Sequence, residues 1–270
     1  MPFHVFFLLK SNNWPRLFIT FATKKKRELM KYGIITTLST LLLLGACRQA
    51  TPGNEVKTDA QSSAKTEQRK QNIIKKRISI PFDFSYITNL GSVDIIFTQG
   101  DYSIEAEGDS AILNYLNAEF DSNLLTVSLG ADNNTDINRY GTKSNIKLYV
   151  SAPYLKCVSV CGNGSFESQS TWRAEDIQLG VLGKGSMKIG KVECTTFNLQ
   201  STDIGDITLT DVQAEDATLY SCSSANIDVN INVNNLMVIN EGTQKLHMKG
   251  KASRVVIKNP DDVNLINDLK

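Results

Sequence analysis

Short segments of alternating hydrophobic and polar residues recur about every 20 residues from Cys157 onwards. A second short stretch of the same alternating kind precedes each of them. The recurring segments are GNGSFES (162–168), GKGSMKI (183–189), DIGDITL (203–209), SANIDVN (224–230) and GTQKLHM (242–248). A repeat of this length, built from short strands separated by small or polar turns, predicts a parallel β-solenoid of about five rungs over residues 155–258.

A single rung cannot bury its inward side chains, but rungs stacked about 4.8 Å apart would share one continuous core. The register of the repeats then predicts two inward columns of side chains. The first contains Phe166, Met187, Ile207, Ile227 and Leu246, and the second contains Ser168, Ile189, Leu209, Val229 and Met248.

The segment before the repeats, residues 78–154, is also mostly β in pattern. VDIIFTQGDYSIEAEG (93–108) predicts two strands joined by a turn at Gln99-Gly100-Asp101. Asp109 is a helix-capping residue, and Ile112, Leu113, Leu116 and Phe120 follow it at helical spacing, which predicts one helix. Residues 124–129 and 146–152 predict further strands around a polar loop. The predicted fold is all-β: an N-terminal β-hairpin or meander with one short helix leads into the solenoid, and residues 259–270 form a C-terminal tail.

The sequence Gly183-Lys184-Gly185-Ser186 has the composition of a phosphate-binding loop. A Walker loop, however, places its lysine after the second glycine and opens a helix, whereas here Lys184 precedes that glycine and a strand follows. The glycine-rich fingerprint of dinucleotide-binding folds also requires a helix after the glycines, so it does not fit this sequence either. The equivalent positions in other repeats hold Asn163, Ile204 and Thr243. This sequence is therefore predicted to be a corner of the solenoid.

An apolar segment near the N-terminus carries an export signal. Lys31 precedes an apolar run at 34–44 that is too short to span a bilayer, and the run closes on Leu44-Gly45-Ala46-Cys47. This pattern resembles the lipobox of bacterial lipoproteins, which implies a signal peptide at 30–46 and a lipid on Cys47. The alternative is a buried apolar helix that ends in a cysteine.

Residues 1–29 precede this signal and are interpreted as a mis-annotated leader, with Met30 as the true start; a second export element is the alternative. Residues 47–77 hold the lipidated cysteine and a polar segment that is predicted to be a disordered tether. No acidic residue follows Cys47 in Arg48-Gln49-Ala50-Thr51, which favours the periplasmic side of the outer membrane over the cell surface.

The charge balance argues against nucleic-acid binding. Residues 1–47 hold seven of the 29 bases and one of the 28 acids, so the remainder of the chain is net acidic. An acidic body repels polyanions at long range. The predicted partners are therefore the membrane, through the lipid on Cys47, and a glycan or an envelope protein.

Few residues of the body suggest chemistry. His247 is predicted to face outwards with no metal-ligand spacing around it, and no Ser-His-Asp set can be assembled. No catalytic residue, metal or cofactor is predicted.

The predicted register places the four cysteines of the body too far apart for disulfides: Cys157, Cys161, Cys194 and Cys222. Acidic side chains gather on the third and fourth rungs and form either a solvated face or a weak cation or glycan site: Asp203, Asp206, Asp211, Glu215, Asp216 and Asp228.

The segment FDFSYITNLGSVDIIFTQGDYSIEAEGD, followed by LNAEFDSNLLTVSL, IKLYVSAP and the glycine-bearing rungs, resembles the head GIN domain family, described as auto-transporter adhesins. The likeness covers residues 78–258 and is most specific at Gly91-Ser92-Val93-Asp94-Ile95 and at the Gly183–Ser186 corner. The third and fourth rungs lack the first glycine of the pattern. The resemblance implies an all-β, solenoid-like domain of the cell envelope and no catalytic residue.

These features predict a non-enzymatic envelope lipoprotein with a binding or scaffolding role, such as adhesion to glycan or protein. The candidate ligand face consists of Asp203, Asp206, Thr208, Asn226, Asp228 and Asn230. The first alternative is a β-helical enzyme acting on polysaccharide, which would hold two carboxylates close together in a groove. The second is a structural partner of another envelope protein, which would expose an apolar patch or an open solenoid end.

Overall fold

The computed structural model describes residues 72–130, 144–243, 245–258 and 264–270. The predicted leader, signal peptide and Cys47 lie outside these residues. The described part contains the following elements in chain order: β1 (Ile73–Arg77), β2 (Tyr86–Asn89), β3 (Asp94–Gln99), β4 (Ser103–Asp109), α1 (Ser110–Leu113), β5 (Leu116–Asp121), β6 (Leu124–Leu129), β7 (Lys147–Ala152), β8 (Cys157–Val160), β9 (Ser165–Ser168), β10 (Trp172–Arg173), β11 (Asp176–Val181), β12 (Ser186–Glu193), β13 (Thr196–Ser201), β14 (Ile207–Ser221), β15 (Ile227–Asn240), β16 (Leu246–Lys258) and β17 (Leu265–Leu269).

Parallel pairing stacks most of these strands into two ladders, as the repeats predict. Ladder 1 runs through β6, β2, β8, β11 and β13 to the second halves of β14, β15 and β16. Ladder 2 runs through β7, β3, β9 and β12 to the first halves of β14, β15 and β16, and then to β17. The predicted β-solenoid is therefore confirmed.

Both predicted inward columns are present on ladder 2. Phe166 lies opposite Met187, which continues through Ile207 and Ile227 to Leu246. The second column runs in the same way from Ser168 to Met248, and every member of both columns is buried. The rungs thus bury each other's apolar side chains.

The order of rungs along the stack differs from their order along the chain. The rung formed by β2 and β3 lies between the rung of β6 and β7 and the rung of β8 and β9. Because β7 also separates β3 from β4, with Ile95 and Ala106 both opposite Leu148, the two strands predicted from residues 93–108 do not pair with each other. The N-terminal hairpin is formed instead by β5 and β6.

The predicted helix is much shorter than its apolar stripe suggests. The Asp109 carboxylate does cap it, accepting a hydrogen bond of 2.9 Å from the Ala111 N–H, but α1 ends at Leu113. Leu116 and Phe120 belong to β5, where they pair with β6. A spacing of four residues fits both a helix and a strand, so the pattern alone could not exclude the strand. No helix of the described residues is long and apolar enough to cross a bilayer.

Strands also occupy parts of the predicted tether and tail. Residues 73–77 at the end of the tether form β1, where Lys75 makes ion pairs with Glu105 (3.0 Å) and Glu107 (3.4 Å) of β4. Residues 265–269 of the tail form β17 on the edge of β16. Both strands depend on partners distant in the chain, which local composition does not reveal.

The corner prediction for Gly183–Ser186 is confirmed, because this sequence forms the turn between β11 and β12. A Cβ atom on Gly185 would overlap the carbonyl oxygen of Gly164, in the rung below. A Cβ on Gly205 would overlap the carbonyl oxygen of Gly185 in the same way. The glycines are therefore present because successive backbones approach closely, and not to hold a phosphate.

No disulfide joins the four cysteines of the described residues, as predicted. One corner position is occupied on four successive rungs by Cys161, Leu182, Thr202 and Cys222, and each of their N–H groups donates a hydrogen bond to the rung before it. Cys161 and Cys222 therefore lie three rungs apart. Burial raises the pKa of the Cys157 thiol and that of Cys194 to about 12. These two side chains pack as small apolar groups.

Candidate ligand-binding face

Five of the six residues of the predicted ligand face lie together on the outer side of ladder 2. Thr208 of β14 lies directly opposite Asp228 of β15, and Asp206 and Asn226 occupy the preceding positions of the same two rungs. Asn230 follows on β15, beside an irregularity in β14 between Leu209 and Val212. These residues, which we call the ligand face, are Asp206, Thr208, Asn226, Asp228 and Asn230.

The sixth predicted residue, Asp203, lies apart from the ligand face. It is half-buried at the corner that precedes β14 and lines a shallow depression of about 280 Å³. Thr202, Cys222 and Thr243 contribute to the same depression, from three successive rungs. This corner is a separate surface, and it offers one carboxylate among mostly small side chains and the exposed Ile204.

Several polar side chains of the ligand face bind the neighbouring rung. The Asp206 carboxylate accepts a hydrogen bond of 2.9 Å from the Asn226 N–H, and the Asn230 amide donates one of 2.9 Å to the Thr210 carbonyl. Away from the ladder-2 face, Asp216 likewise accepts a hydrogen bond from the Asn235 amide, at 2.7 Å. These polar side chains therefore hold adjacent rungs in register.

His247 lies on the same outer side, as predicted, and contacts carboxylates on both sides. Its Nδ1 atom is 2.9 Å from Asp228 Oδ1 on β15, and its Nε2 atom is 2.9 Å from Asp268 Oδ2 on β17. The hydrogen bond with Asp268, followed by that with Asp228, raises the pKa of His247 above its ordinary value. The imidazole of His247, on β16, thus connects β17 with β15. The described residues contain no group of three or more acidic, histidine or cysteine side chains that could hold a metal ion.

We expect this His247 contact to make the stability of the domain depend on pH. A group whose folded-state pKa is raised stabilises the fold fully below its unfolded pKa, about 6.5 for histidine, and this contribution is lost as the pH rises through the folded pKa. The difference in free energy of unfolding between the wild type and His247→Gln should therefore shrink as the pH rises from about 6.5 through the folded-state pKa. Urea denaturation across this range measures it, and a constant difference would contradict the expectation.

A second concave surface lies beside Tyr154 and was not predicted. It has a volume of about 520 Å³, and its lining includes Tyr154, Lys156, Glu175 and Arg173. The Tyr154 side chain is 69% exposed. This cleft joins parts of the chain that are far apart in sequence, which explains why no local pattern indicated it.

Two of the side chains that line this cleft, Gln99 and Glu193, are held by hydrogen bonds. The Gln99 amide donates hydrogen bonds of 2.8 Å to the carbonyls of Pro153 and Arg173, and its oxygen accepts one from the Arg173 N–H. Glu193 pairs with Lys191 and Arg173, and these two hydrogen bonds hold the pKa of Glu193 below its usual range. An exposed aromatic ring beside rigid polar groups can contact the apolar face of a small ligand.

Residues 83–211 match a family model described as "Putative auto-transporter adhesin, head GIN domain". No curated protein shows significant similarity to the chain. Among solved structures, a putative adhesin from Bacteroides fragilis is similar at 17% identity with a TM-score of 0.55, over 74% of this chain and 96% of that one.

Two further structures come from Parabacteroides distasonis. One, a putative lipid binding protein, has a TM-score of 0.45 at 17% identity, over 74% of this chain and 95% of that one. The other, a putative adhesin, has a TM-score of 0.46 at 17% identity, over 74% of this chain and 96% of that one. The family match covers the residues on which the resemblance was most specific, Gly91–Ile95 and Gly183–Ser186. Residues 83–211 are therefore similar to the head GIN domain family, as the resemblance in the sequence implies.

Proposed function

We propose that this protein is a binding lipoprotein of the cell envelope. Its lipid on Cys47 holds it in the outer membrane on the periplasmic side, and its solenoid binds an extended glycan along the ligand face. The family description as an adhesin supports a binding role at the envelope. The lipobox-like sequence that ends at Cys47 supports the anchor.

The observation that carries this proposal is the regular outer side of ladder 2. Thr208 and Asp228 lie directly opposite each other on adjacent rungs, and hydroxyl, amide and carboxylate groups repeat at the rung spacing of about 4.8 Å. A glycan also presents hydroxyl groups at regular intervals. Hydrogen bonds between the rungs hold Asp206 and Asn230 in place, which lowers the entropy lost on binding.

The same contacts favour binding over hydrolysis of a glycan. A glycoside hydrolase needs one carboxylate that donates a proton and a second that acts as base or nucleophile. On the ligand face, Asp206 accepts a hydrogen bond from a backbone N–H, and Asp228 contacts His247. Both carboxylates are thus committed to the neighbouring rung.

Binding can be tested with a glycan array probed with the full chain, purified from membranes in a mild detergent. Thr208→Arg places a long charged side chain at the centre of the ligand face and should weaken binding at least about tenfold. Thr218→Arg is the matched control, because Thr218 lies on the same strand but faces outwards from ladder 1, opposite Asn198.

Two controls accompany the array. The mass of the N-terminal peptide of the same preparation reports whether Cys47 carries a lipid. Release of reducing sugar from any glycan that binds would favour the enzyme instead. The proposal fails if the wild type binds no glycan, or if Thr218→Arg weakens binding as much as Thr208→Arg.

A further inference from the structure

The cleft beside Tyr154 has the size of a small-molecule site. Its volume of about 520 Å³ lies within the range of roughly 300–1,000 Å³ that is usual for ligand pockets. The residues that line it come from β3, β10, β12, the link between β7 and β8 and the link between β10 and β11. None of them belongs to β14 or β15, so the cleft is separate from the ligand face.

The backbone on both sides of Tyr154 is held in place, although the side chain itself is 69% exposed. Before it, the Pro153 carbonyl accepts a hydrogen bond of 2.8 Å from the Gln99 amide. After it, the carbonyl of the buried Leu155 accepts one of 2.8 Å from the indole N–H of the buried Trp172. The cleft thus presents an aromatic ring on a fixed backbone, which lowers the entropy that a ligand contact would cost.

Arg173 and Glu193 place hydrogen-bond donors and acceptors side by side in the same cleft. Arg173 Nε lies 2.6 Å from Glu193 Oε2, and Glu193 Oε1 lies 2.7 Å from Lys191 Nζ. A guanidinium has five N–H donors, and only the Nε–H of Arg173 has a partner among the described residues. Each carboxylate oxygen of Glu193 can accept a second hydrogen bond. Both side chains remain partly exposed, so these donors and acceptors are open to a ligand.

This combination of groups matches a neutral sugar. A hydroxyl group both donates and accepts, so two adjacent sugar hydroxyls can accept from Arg173 and donate to Glu193. The C–H face of a pyranose ring is apolar and can lie on the Tyr154 ring. The lining carries two charges of each sign, from Lys156 and Arg173 and from Glu175 and Glu193. It therefore attracts neither an anion nor a cation as a whole.

We infer that this cleft binds a single neutral pyranose residue, with the sugar ring on Tyr154 and adjacent hydroxyls on Arg173 and Glu193. The inference goes beyond the proposed function, because it adds a second site that shares no residue with the ligand face. It does not require an extended ligand, so it stands or falls independently of binding along β14 and β15.

Saturation-transfer difference NMR of the full chain with simple methyl glycosides tests this site. The probes are methyl β-glucoside, methyl β-galactoside and methyl α-mannoside, and the protein is kept in a polyoxyethylene detergent, which contains no sugar. Saturating the aromatic protons of the protein touches neither the detergent nor the probes. At least one glycoside should receive saturation, strongest on the ring protons of one face, and should bind with a Kd of about 1 mM.

Two substitutions separate the ring from the guanidinium. Tyr154→Ala removes the stacking surface and should raise the Kd at least about tenfold. Arg173→Lys keeps the positive charge but loses the forked N–H groups, and it should raise the Kd at least about threefold. The matched control is Tyr115→Ala, which removes a tyrosine that is 49% exposed between α1 and β5, and it should leave the Kd unchanged. Circular dichroism verifies that each variant is folded.

A charged probe distinguishes a sugar site from a site for peptides. Glycylglycine carries an ammonium and a carboxylate but no sugar ring, and it should bind more weakly than the best glycoside. The inference is overturned if none of the three glycosides receives saturation, or if glycylglycine binds more tightly than all of them. It is also overturned if Tyr154→Ala binds as tightly as the wild type, or if Tyr115→Ala weakens binding as much as Tyr154→Ala.

Discussion

Replacing Gly185 with alanine is expected to lower the free energy of unfolding by about 4 kcal/mol or more, or to prevent folding. The new Cβ would overlap the Gly164 carbonyl oxygen and come within 2.5 Å of the Val160 Cγ1 atom. The rungs are hydrogen-bonded on both sides of this corner, so the clash can be relieved only by separating them. The loss therefore combines steric strain with broken ladder hydrogen bonds.

Gly190→Ala is the matched control for this substitution. Gly190 lies on β12, in the same rung as Gly185, but the nearest atom to its added Cβ is the Ser168 carbonyl oxygen at an ordinary contact distance of 3.5 Å. Its effect should remain within about 1 kcal/mol, because alanine also reduces the entropy of the unfolded chain. Urea denaturation followed by circular dichroism measures both variants. Equal effects would show that the corner tolerates a side chain and that the close approach of the rungs is not what requires glycine.

The solenoid could be predicted from sequence because its core repeats. Phe166, Met187, Ile207, Ile227 and Leu246 recur at nearly constant intervals, and neighbouring rungs are also neighbours in the chain. Period and register therefore specify the pairing without further information. The glycine corner followed from the same register, since the residue types around Lys184 fit a turn and not a helix.

Contacts between distant parts of the chain could not be predicted in this way. The alternation of apolar and polar residues indicates that β2 and β3 are strands, but it does not specify their partners. It therefore could not show that their rung lies between the rung of β6 and β7 and the rung of β8 and β9. One inward column of ladder 1 contains the apolar Val160 and Val181 together with three buried polar residues, Asn89, Ser201 and Ser221. Because polar residues are expected on the outer side of a strand, the sequence pattern does not indicate that these three face inwards.

The candidate ligand face was predicted only as a set of outward residues. Register placed Thr208 and Asp228 together, but the hydrogen bonds of Asp206 and Asn230 to neighbouring rungs depend on turn and bulge geometry. Asp268, the second partner of His247, lies on a strand within the predicted tail. The Tyr154 cleft combines side chains from unrelated segments, so folding alone creates it.

The other substitution with a large expected effect is Trp172→Ala. Trp172 lies on the two-residue strand β10 and is fully buried. Its ring centre is 5.2 Å from that of Phe97 and 5.9 Å from that of Phe166, and its Nε1–H donates a hydrogen bond of 2.8 Å to the Leu155 carbonyl. Truncation to alanine should lower the free energy of unfolding by about 3–5 kcal/mol, because it removes these contacts and leaves a cavity.

Two further variants separate the contributions of this side chain. Trp172→Phe keeps most of the apolar contacts but leaves the buried Leu155 carbonyl without its donor, so we expect a loss of about 1–3 kcal/mol. Tyr154→Ala removes an aromatic ring nearby that is 69% exposed, and its effect should stay within about 0.5 kcal/mol. Chemical denaturation of the three variants should rank them in this order. If Trp172→Ala were no more destabilising than Tyr154→Ala, the aromatic contacts among Phe97, Phe166 and Trp172 would not join β3, β9 and β10 into one core.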